Sequence, residues 1–177
     1  MSENTLDGEY SVANAGLVLL QPFFPHLFEA LGMLKLDDEE RSELADPASA
    51  HRAVHLLQYL VDGRFDALES GLALNKLLCG MAITEPLSSL VSPNRNELNL
   101  CEELLRAASN NWPAMKNTSI AGLRQTFLQR EGRLVCADDH WHLTVQRKTL
   151  DVLLDQIPWS FSVIYHPWMT QPLHVTW

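Results

Sequence analysis

Apolar positions recur with the spacing of an α-helix along the first three quarters of the chain. The clearest stretch starts at Asp46-Pro47, an N-cap followed by a proline at the first helical position, and it can end at Gly63, which suits a left-handed C′ residue. Weaker helical patterns occur at four other places, one before this stretch and three after it: after Pro25, over Leu72–Leu78, after Ser92-Pro93 and after Ser119. The pattern predicts a set of helices, of which the one after Asp46 is the best defined.

Beyond residue 132 the period of the apolar positions changes from helical to two. Leu134–Ala137 and Trp141–Gln146 flank Asp138-Asp139, a pair typical of a hairpin turn. A short helix is predicted over Leu150–Leu154, after which alternation returns over two further segments, Trp159–Tyr165 and Leu173–Trp177. A segment that closes on tryptophan is expected to dock on the domain, because frayed ends rarely carry so much apolar area.

These patterns predict an α+β fold, a mainly helical bundle followed by a small C-terminal antiparallel β-sheet. We assign residues 1–13 to a flexible N-terminal arm and residues 14–177 to a single compact domain, helical over 14–131 and β-rich over 132–177. The chain has 177 residues, of which 46% are hydrophobic, enough for a substantial core. The helix that precedes the hairpin also fits a winged-helix-like packing, an arrangement used to read a DNA groove.

The charge of the chain argues against a nucleic-acid partner. It has 13 basic and 22 acidic residues, a formal net charge of −9, whereas a protein that neutralises phosphates needs a basic surface. Only the segment from Lys116 to Lys148 is mildly basic. A small winged-helix nucleic-acid-binding protein is the alternative function, and it requires four arginines on one face: Arg124, Arg130, Arg133 and Arg147.

Few residues suggest catalysis or metal binding. The three cysteines are far apart and form no CxxC pair, and no nucleotide-binding or hydrolase motif occurs. Two histidine pairs have the spacing of metal ligands: His51 with His55 in the best-defined helix, and His140 with His142 in the hairpin. A metal-dependent enzyme would use the hairpin pair, but solvated surface histidines explain both pairs more simply. We therefore predict no catalytic residue, no metal and no cofactor.

The most apolar run does not predict a membrane span. AGLVLLQPFFPHLFEALGML approaches spanning length, but it contains Pro22, Pro25, His26 and Glu29, which lipid would leave unsatisfied. The N-terminal residues are polar and acidic and lack the positive start of a secretory signal. We expect a core segment here, no membrane insertion and synthesis in the cytoplasm.

Several dispersed stretches, read together and in order, resemble one protein family. They are NAGLVLLQPFFPHLFEALGML, HRAVHLLQYLVDG, LALNKLLCGM, NWPAMKNTSIAGLRQTFLQREGRL, WHLTVQRKTLDVLLDQIPWSFSVIYHPWM and the closing LHVTW. Between about Asn14 and Trp177 the chain resembles the contractile injection system tape measure proteins, components of phage-tail-like particles that drive a spike into a target cell. No stretch of the resemblance is a motif with a known reaction.

The resemblance implies a structural role without enzymatic activity, cofactor or small-molecule substrate. It implies a chain that lies inside the assembled particle, contacts inner-tube, baseplate or spike/hub proteins, and contributes to tube assembly or length control. A helix rises about 1.5 Å per residue, so even a wholly helical chain of this length would reach only about 265 Å. Prolines and strand patterns exclude such a rod. We therefore expect either the globular end domain of a longer tape or a short relative that keeps only the anchoring domain, with docking as the role in both cases.

Four residues are predicted to contact a partner. Asn75 and Lys76 are polar residues inside an apolar helical pattern. Trp168 lies in a predicted loop between Pro167 and Met169, where its ring is free to bind another protein, since aromatic residues dominate interface energetics. Trp177 is included as well, although it and Trp159 also fit the core of the small sheet.

Overall fold

A computed structural model describes residues 8–88 and 92–177 of the chain. Its α-helices are α1 (Phe24–Ala30), α2 (Pro47–Asp62), α3 (Ala73–Leu78), α4 (Arg95–Asn110) and α5 (Ile120–Leu123). Its strands are β1 (Glu9–Val12), β2 (Leu34–Leu36), β3 (Ser42–Leu44), β4 (Gly132–Cys136), β5 (Trp141–Val145), β6 (Val163–Ile164) and β7 (Leu173–Thr176). The 3-10 segments are Ala15–Phe23, Glu69–Gly71, Pro113–Met115 and Thr149–Gln156, and Arg124–Leu128 is a π-helical turn.

The ends of helix α2 follow from local side-chain and backbone chemistry. At its start, the Asp46 carboxylate accepts a hydrogen bond of 2.7 Å from the backbone N–H of Ser49. At its end, Gly63 takes a left-handed conformation with φ of 71°. Helix α4 starts with a reciprocal capping box between Asn94 and Glu97. The helix predicted from Asp46 is confirmed, and the helix predicted after Ser92-Pro93 begins three residues after Ser92.

The α+β fold class is confirmed, but the sheet differs from the predicted C-terminal antiparallel one. Five strands pair in the order β1-β4-β5-β7-β6, and β2 with β3 forms a separate two-stranded sheet within the region predicted to be helical. Strands β5 and β7 are parallel, so the large sheet is mixed. The reason is that residues 146–172 cross over between these strands, and a crossover of this length permits parallel pairing. Of the segment predicted to alternate over Trp159–Tyr165, only Val163–Ile164 is a strand.

Strand β1 corrects the assignment of residues 1–13 to a loose arm. Residues 9–12 pair with β4, with Tyr10 opposite Leu134, and Glu9 forms a salt bridge with Arg133. Val12 is buried. Four residues are too few for a clear alternation in the sequence, so the pairing partner specifies this strand. Residues 1–7 of the predicted arm lie outside the described residues.

The core lies between the inner face of the large sheet and the helices. The 3-10 segment Ala15–Phe23 contributes a fully buried run over residues 15–20. Leu134, Leu143 and Leu173 contribute side chains from β4, β5 and β7 that are wholly buried. The apolar run that approached membrane-spanning length is therefore a core segment, as predicted. Within residues 8–88 and 92–177, no helix combines the length and the apolar character needed to cross a membrane.

The π-helical turn after α5 directs polar side chains to the end of another helix. The Arg124 guanidinium donates to the backbone carbonyls of Tyr59 and Leu60, at 2.9 and 3.1 Å, and Gln129 donates to the carbonyl of Val61 at 3.1 Å. These carbonyls belong to the last turn of α2; that of Tyr59 also accepts from the Gly63 N–H at 2.8 Å, and carbonyls at a helix end generally need partners from outside the helix. A cation there also interacts favourably with the helix dipole. Arg124 therefore stabilises the joint between α2 and α5.

Candidate partner-binding site

Asn75 belongs to a buried cluster of side-chain amides. Its side chain is wholly buried and donates to the backbone carbonyl of Val54 at 3.1 Å and to Gln58 Oε1 at 3.3 Å. Asn14 Nδ2 donates to Asn75 Oδ1 at 2.6 Å and to Gln58 Oε1 at 2.8 Å. We name Asn14, Gln58 and Asn75 the amide cluster. It ties the start of the 3-10 segment to α2 and α3.

Lys76 is also used inside the fold. Its ammonium group is almost fully buried and donates three hydrogen bonds, to Glu69 Oε1 at 2.9 Å and to the backbone carbonyls of Ile83 and Glu85 at 3.1 and 2.7 Å. An ammonium group has three donors, so all are satisfied. Lys76 lowers the pKa of the Glu69 carboxyl below its ordinary value through the hydrogen bond and charge that it supplies. The lysine thereby holds the loop after α3 against the helix.

Trp168, predicted to offer a free ring in a loop, is more deeply buried than Trp177, which also fitted the core of the small sheet. Trp168 is only 8% exposed; its indole N–H donates to the carbonyl of Leu78 at 2.8 Å, and its ring packs edge-on against Phe28. Trp177 is half-buried and its indole N–H donates to Asp151 Oδ2 at 2.8 Å. The docked end predicted for this segment is confirmed. The folded domain already uses the polar groups of the four candidate residues, Asn75, Lys76, Trp168 and Trp177. Their contact with a partner stays a prediction.

Replacing Asn75 by alanine is expected to lower the free energy of unfolding by about 1–3 kcal/mol, because Asn14 and Gln58 lose a buried partner. Urea denaturation followed by circular dichroism measures this. Asn99→Ala is the matched control, since Asn99 is an exposed asparagine on helix α4, and it should change stability by no more than about 0.5 kcal/mol. Equal effects of the two substitutions would show that the amide cluster does not stabilise the fold.

A buried ion pair lies against the Trp177 ring, and no local pattern in the sequence predicts it. Arg130 and Asp151 are each 1% exposed, and Arg130 Nη1 donates to both carboxylate oxygens of Asp151 at 2.9 and 2.7 Å. The guanidinium carbon lies 5.3 Å from the centre of the Trp177 ring. Burial acts to raise the pKa of Asp151, but hydrogen bonds from Arg130, the Lys148 backbone and Trp177 outweigh it and leave that pKa lowered.

The four arginines of the nucleic-acid hypothesis do not form one free cationic face. Arg124 and Arg130 point into the domain, Arg133 forms a salt bridge with Glu9, and Arg147 donates to the backbone carbonyl of Trp177 at 3.2 Å. A groove-reading helix needs such side chains available for phosphates and bases. Nothing in the described residues supports nucleic-acid binding.

The hairpin histidines, His140 and His142, lie close to a third histidine, His174, on the outer face of the sheet. His140 stacks on His174 with ring centres 4.1 Å apart, and His142 Nε2 lies 2.9 Å from Thr176 Oγ1. Of the other pair, His51 Nδ1 accepts from the Ser88 backbone at 2.8 Å, and burial lowers the pKa of His55. Among residues 8–88 and 92–177, no three or more His, Cys, Asp or Glu side chains are arranged to hold a metal.

Two of the cysteine thiols are held in their protonated form by the core. Cys79 and Cys101 are buried, and burial raises the pKa of both, that of Cys101 to about 12. A thiol acts as a nucleophile or metal ligand in its thiolate form. These two cysteines therefore behave as small apolar side chains at neutral pH.

A cleft opens above the amide cluster on the outside of the domain. It has a volume of about 620 Å³ and is lined by Ala13, Asn14, Gln58, Val61, Asp62, Arg64, Ala67, Leu68, Ser70, Gly71 and Gln129. We name it the amide cleft. Its lining includes two buried amide side chains, whereas Leu68 is 79% exposed, the highest value among the large apolar residues that the structure describes. The only local signal for it in the sequence is that Asn14 and Gln58 interrupt apolar runs.

Comparison with known protein families gives a match that covers residues 1–177. The model of a family described as contractile injection system tape measure protein matches residues 1–177. No curated protein and no solved structure matches the chain.

Proposed function

The chain belongs to the contractile injection system tape measure protein family, and we propose on this premise that it is a non-enzymatic assembly component of the particle. It docks to inner-tube, baseplate or spike/hub proteins and thereby contributes to tube assembly and length control. It is made in the cytoplasm and lies inside the assembled particle. The observation that carries this proposal is the family match over residues 1–177.

The shape of the described domain supports docking as the direct role. Its longest helices, α2 and α4, have 16 residues each, which corresponds to about 24 Å of helix. Both helices pack into the same core, with Leu57 and Leu105 fully buried. A ruler requires an extended element that grows with the tube, whereas these elements are short and folded together. We infer that this domain acts on tube length through the proteins that it binds.

The surface charge fits a protein partner. In a chain of net charge −9, much of the acidic excess precedes residue 116, where 17 acidic and seven basic residues lie. Such a surface steers encounters towards basic protein surfaces and disfavours polyanions.

Co-expression with the tube, baseplate and spike/hub proteins tests the proposal. Affinity purification of the tagged chain is expected to recover at least one of them, at levels well above those recovered by an unrelated tagged protein of similar size and charge. Mass spectrometry of the eluate identifies the partner. Recovery equal to that of the unrelated protein would contradict docking.

A further inference from the structure

The amide cleft contains an acceptor that the domain leaves without a donor. Asn14 is 3% exposed, and its Oδ1 accepts no hydrogen bond from any described residue, whereas its Nδ2 donates twice within the amide cluster. A buried acceptor without a partner keeps its full desolvation cost. Native proteins usually satisfy such groups, so Asn14 Oδ1 can accept a hydrogen bond from a donor that enters the cleft.

The Asp62 carboxylate lies beside this acceptor; among the described residues no cationic side chain hydrogen-bonds to it, and the neighbouring Arg64 charge acts on it only through space. Asp62 accepts only neutral donors, Gln58 Nε2 at 2.9 Å and the backbone N–H of Arg64 at 2.9 Å. The Arg64 guanidinium instead binds Asp66, at 3.0 and 2.9 Å. The amide group of Gln58 bonds both Asp62 and Asn14, so the carboxylate and the orphan acceptor lie on either side of one side-chain amide.

The rim of the cleft adds apolar area next to these polar groups. Leu68 projects into solvent at the end of the loop that follows α2, and Ala67 lines the cleft beside it. Apolar area at the mouth, together with one unsatisfied acceptor and a carboxylate, suits a long side chain with an aliphatic stem and a charged head that carries several N–H groups. Arginine has this composition.

We propose that the amide cleft binds an arginine side chain presented by a protein partner in the particle. The guanidinium donates to the Asp62 carboxylate and to Asn14 Oδ1, while its methylene stem packs on Leu68. Its planar fork can donate to two acceptors at once, whereas the lysine ammonium is a compact point charge without such a fork. The inference names the kind of partner group for the proposed docking function, and so it rests on that function.

Nuclear magnetic resonance titration of the ¹⁵N-labelled chain tests the cleft directly. The probes are N-acetyl-arginine amide and N-acetyl-citrulline amide, which has nearly the same shape without the charge. We expect the arginine probe to shift the side-chain amide signals of Asn14 and Gln58 saturably, and the citrulline probe to bind at least tenfold more weakly. No shift at these amides, or equal binding of the two probes, would overturn the proposal.

Three variants distinguish binding in the cleft from non-specific attraction to the acidic surface. Asp62→Asn is expected to weaken the arginine probe about tenfold, and Leu68→Ser about threefold. Asp155→Asn is the matched control, because Asp155 is an exposed carboxylate that does not line the cleft, and its affinity should match that of the wild type. Weakening by Asp155→Asn equal to that by Asp62→Asn would overturn the proposal.

The same variants in the co-expression experiment distinguish this inference from the docking function. If Asp62→Asn loses the recovered partner and Asp155→Asn keeps it, the cleft is the docking point. If wild type and Asp62→Asn recover a partner equally, docking holds and the cleft assignment fails. If the wild type recovers no partner, the docking function fails, whatever the arginine probe does.

Discussion

Replacing Asp151 by alanine is expected to lower the free energy of unfolding by about 3–5 kcal/mol. The substitution leaves the Arg130 guanidinium buried at 1% exposure without its counter-ion, and it removes the acceptor of the Trp177 indole N–H and the Lys148 backbone N–H. An uncompensated buried charge is far more costly than the net gain from an intact pair. Urea denaturation followed by tryptophan fluorescence measures the loss.

Asp155→Ala is the control, because Asp155 is an exposed carboxylate in the same 3-10 segment, and we expect a change within about 0.5 kcal/mol. The pKa of folded Asp151 lies below its ordinary value of 3.8, so its contribution is complete above that pH and is lost as pH falls through the folded pKa. The difference between the wild type and Asp151→Ala should therefore shrink below about pH 4. A difference that is small at neutral pH, or constant down to pH 2, would contradict the role of the pair.

Replacing Gly16 by alanine is expected to destabilise the domain by about 3 kcal/mol or more. A Cβ on Gly16 would lie 1.8 Å from the carbonyl oxygen of Phe127 and 2.6 Å from the Leu128 Cα. These are backbone atoms of the π-helical turn, which a rotamer change cannot move aside. The 3-10 segment and the turn must separate, and this exposes part of the core between them. Thermal unfolding monitored by circular dichroism measures the effect.

Gly71→Ala is the matched control for this clash. It makes the same chemical change in another 3-10 segment, but a Cβ on Gly71 would have no atom within 4 Å. We expect it to be neutral or slightly stabilising, because alanine restricts the unfolded chain. Similar losses for Gly16→Ala and Gly71→Ala would mean that chain flexibility, and not the close approach, sets the stability at residue 16.

Elements with strong local signals were predictable from the sequence. Helix α2 has an aspartate cap, a proline in its first turn and a terminal glycine, and each of these acts over a few residues. The hairpin β4–β5 follows from alternation on both sides of a polar turn. Strand β1 has only four residues, and its stability comes from pairing with β4, more than 120 residues away in the chain. No local pattern reports such a partner.

The partner residues were harder to predict, because a polar residue in an apolar helix has two explanations. Asn75 fits either a surface contact or a buried network, and only the positions of Asn14 and Gln58 distinguish them. Trp168 lies in a loop between regular elements, yet its indole reaches the end of α3, 90 residues earlier in the chain. In both cases the deciding contact is distant in sequence.

The amide cleft shows the same limit. Its lining comes from three separate parts of the chain, 13–14, 58–71 and 129, and none of them carries a binding motif. The Asp62 carboxylate is available to a partner's cation because the Arg64 guanidinium binds Asp66 instead. The acidic net charge and the family resemblance are readable from the sequence, whereas the position of the cleft is known only from the folded structure.

The proposed function requires that this folded domain bind other proteins of the particle during assembly. Electron microscopy of particles from cells that lack this chain, with and without a complementing copy, measures that dependence. We expect particles that are absent or malformed without it and normal when the copy is restored. Particles of ordinary form, number and length in its absence would contradict the account.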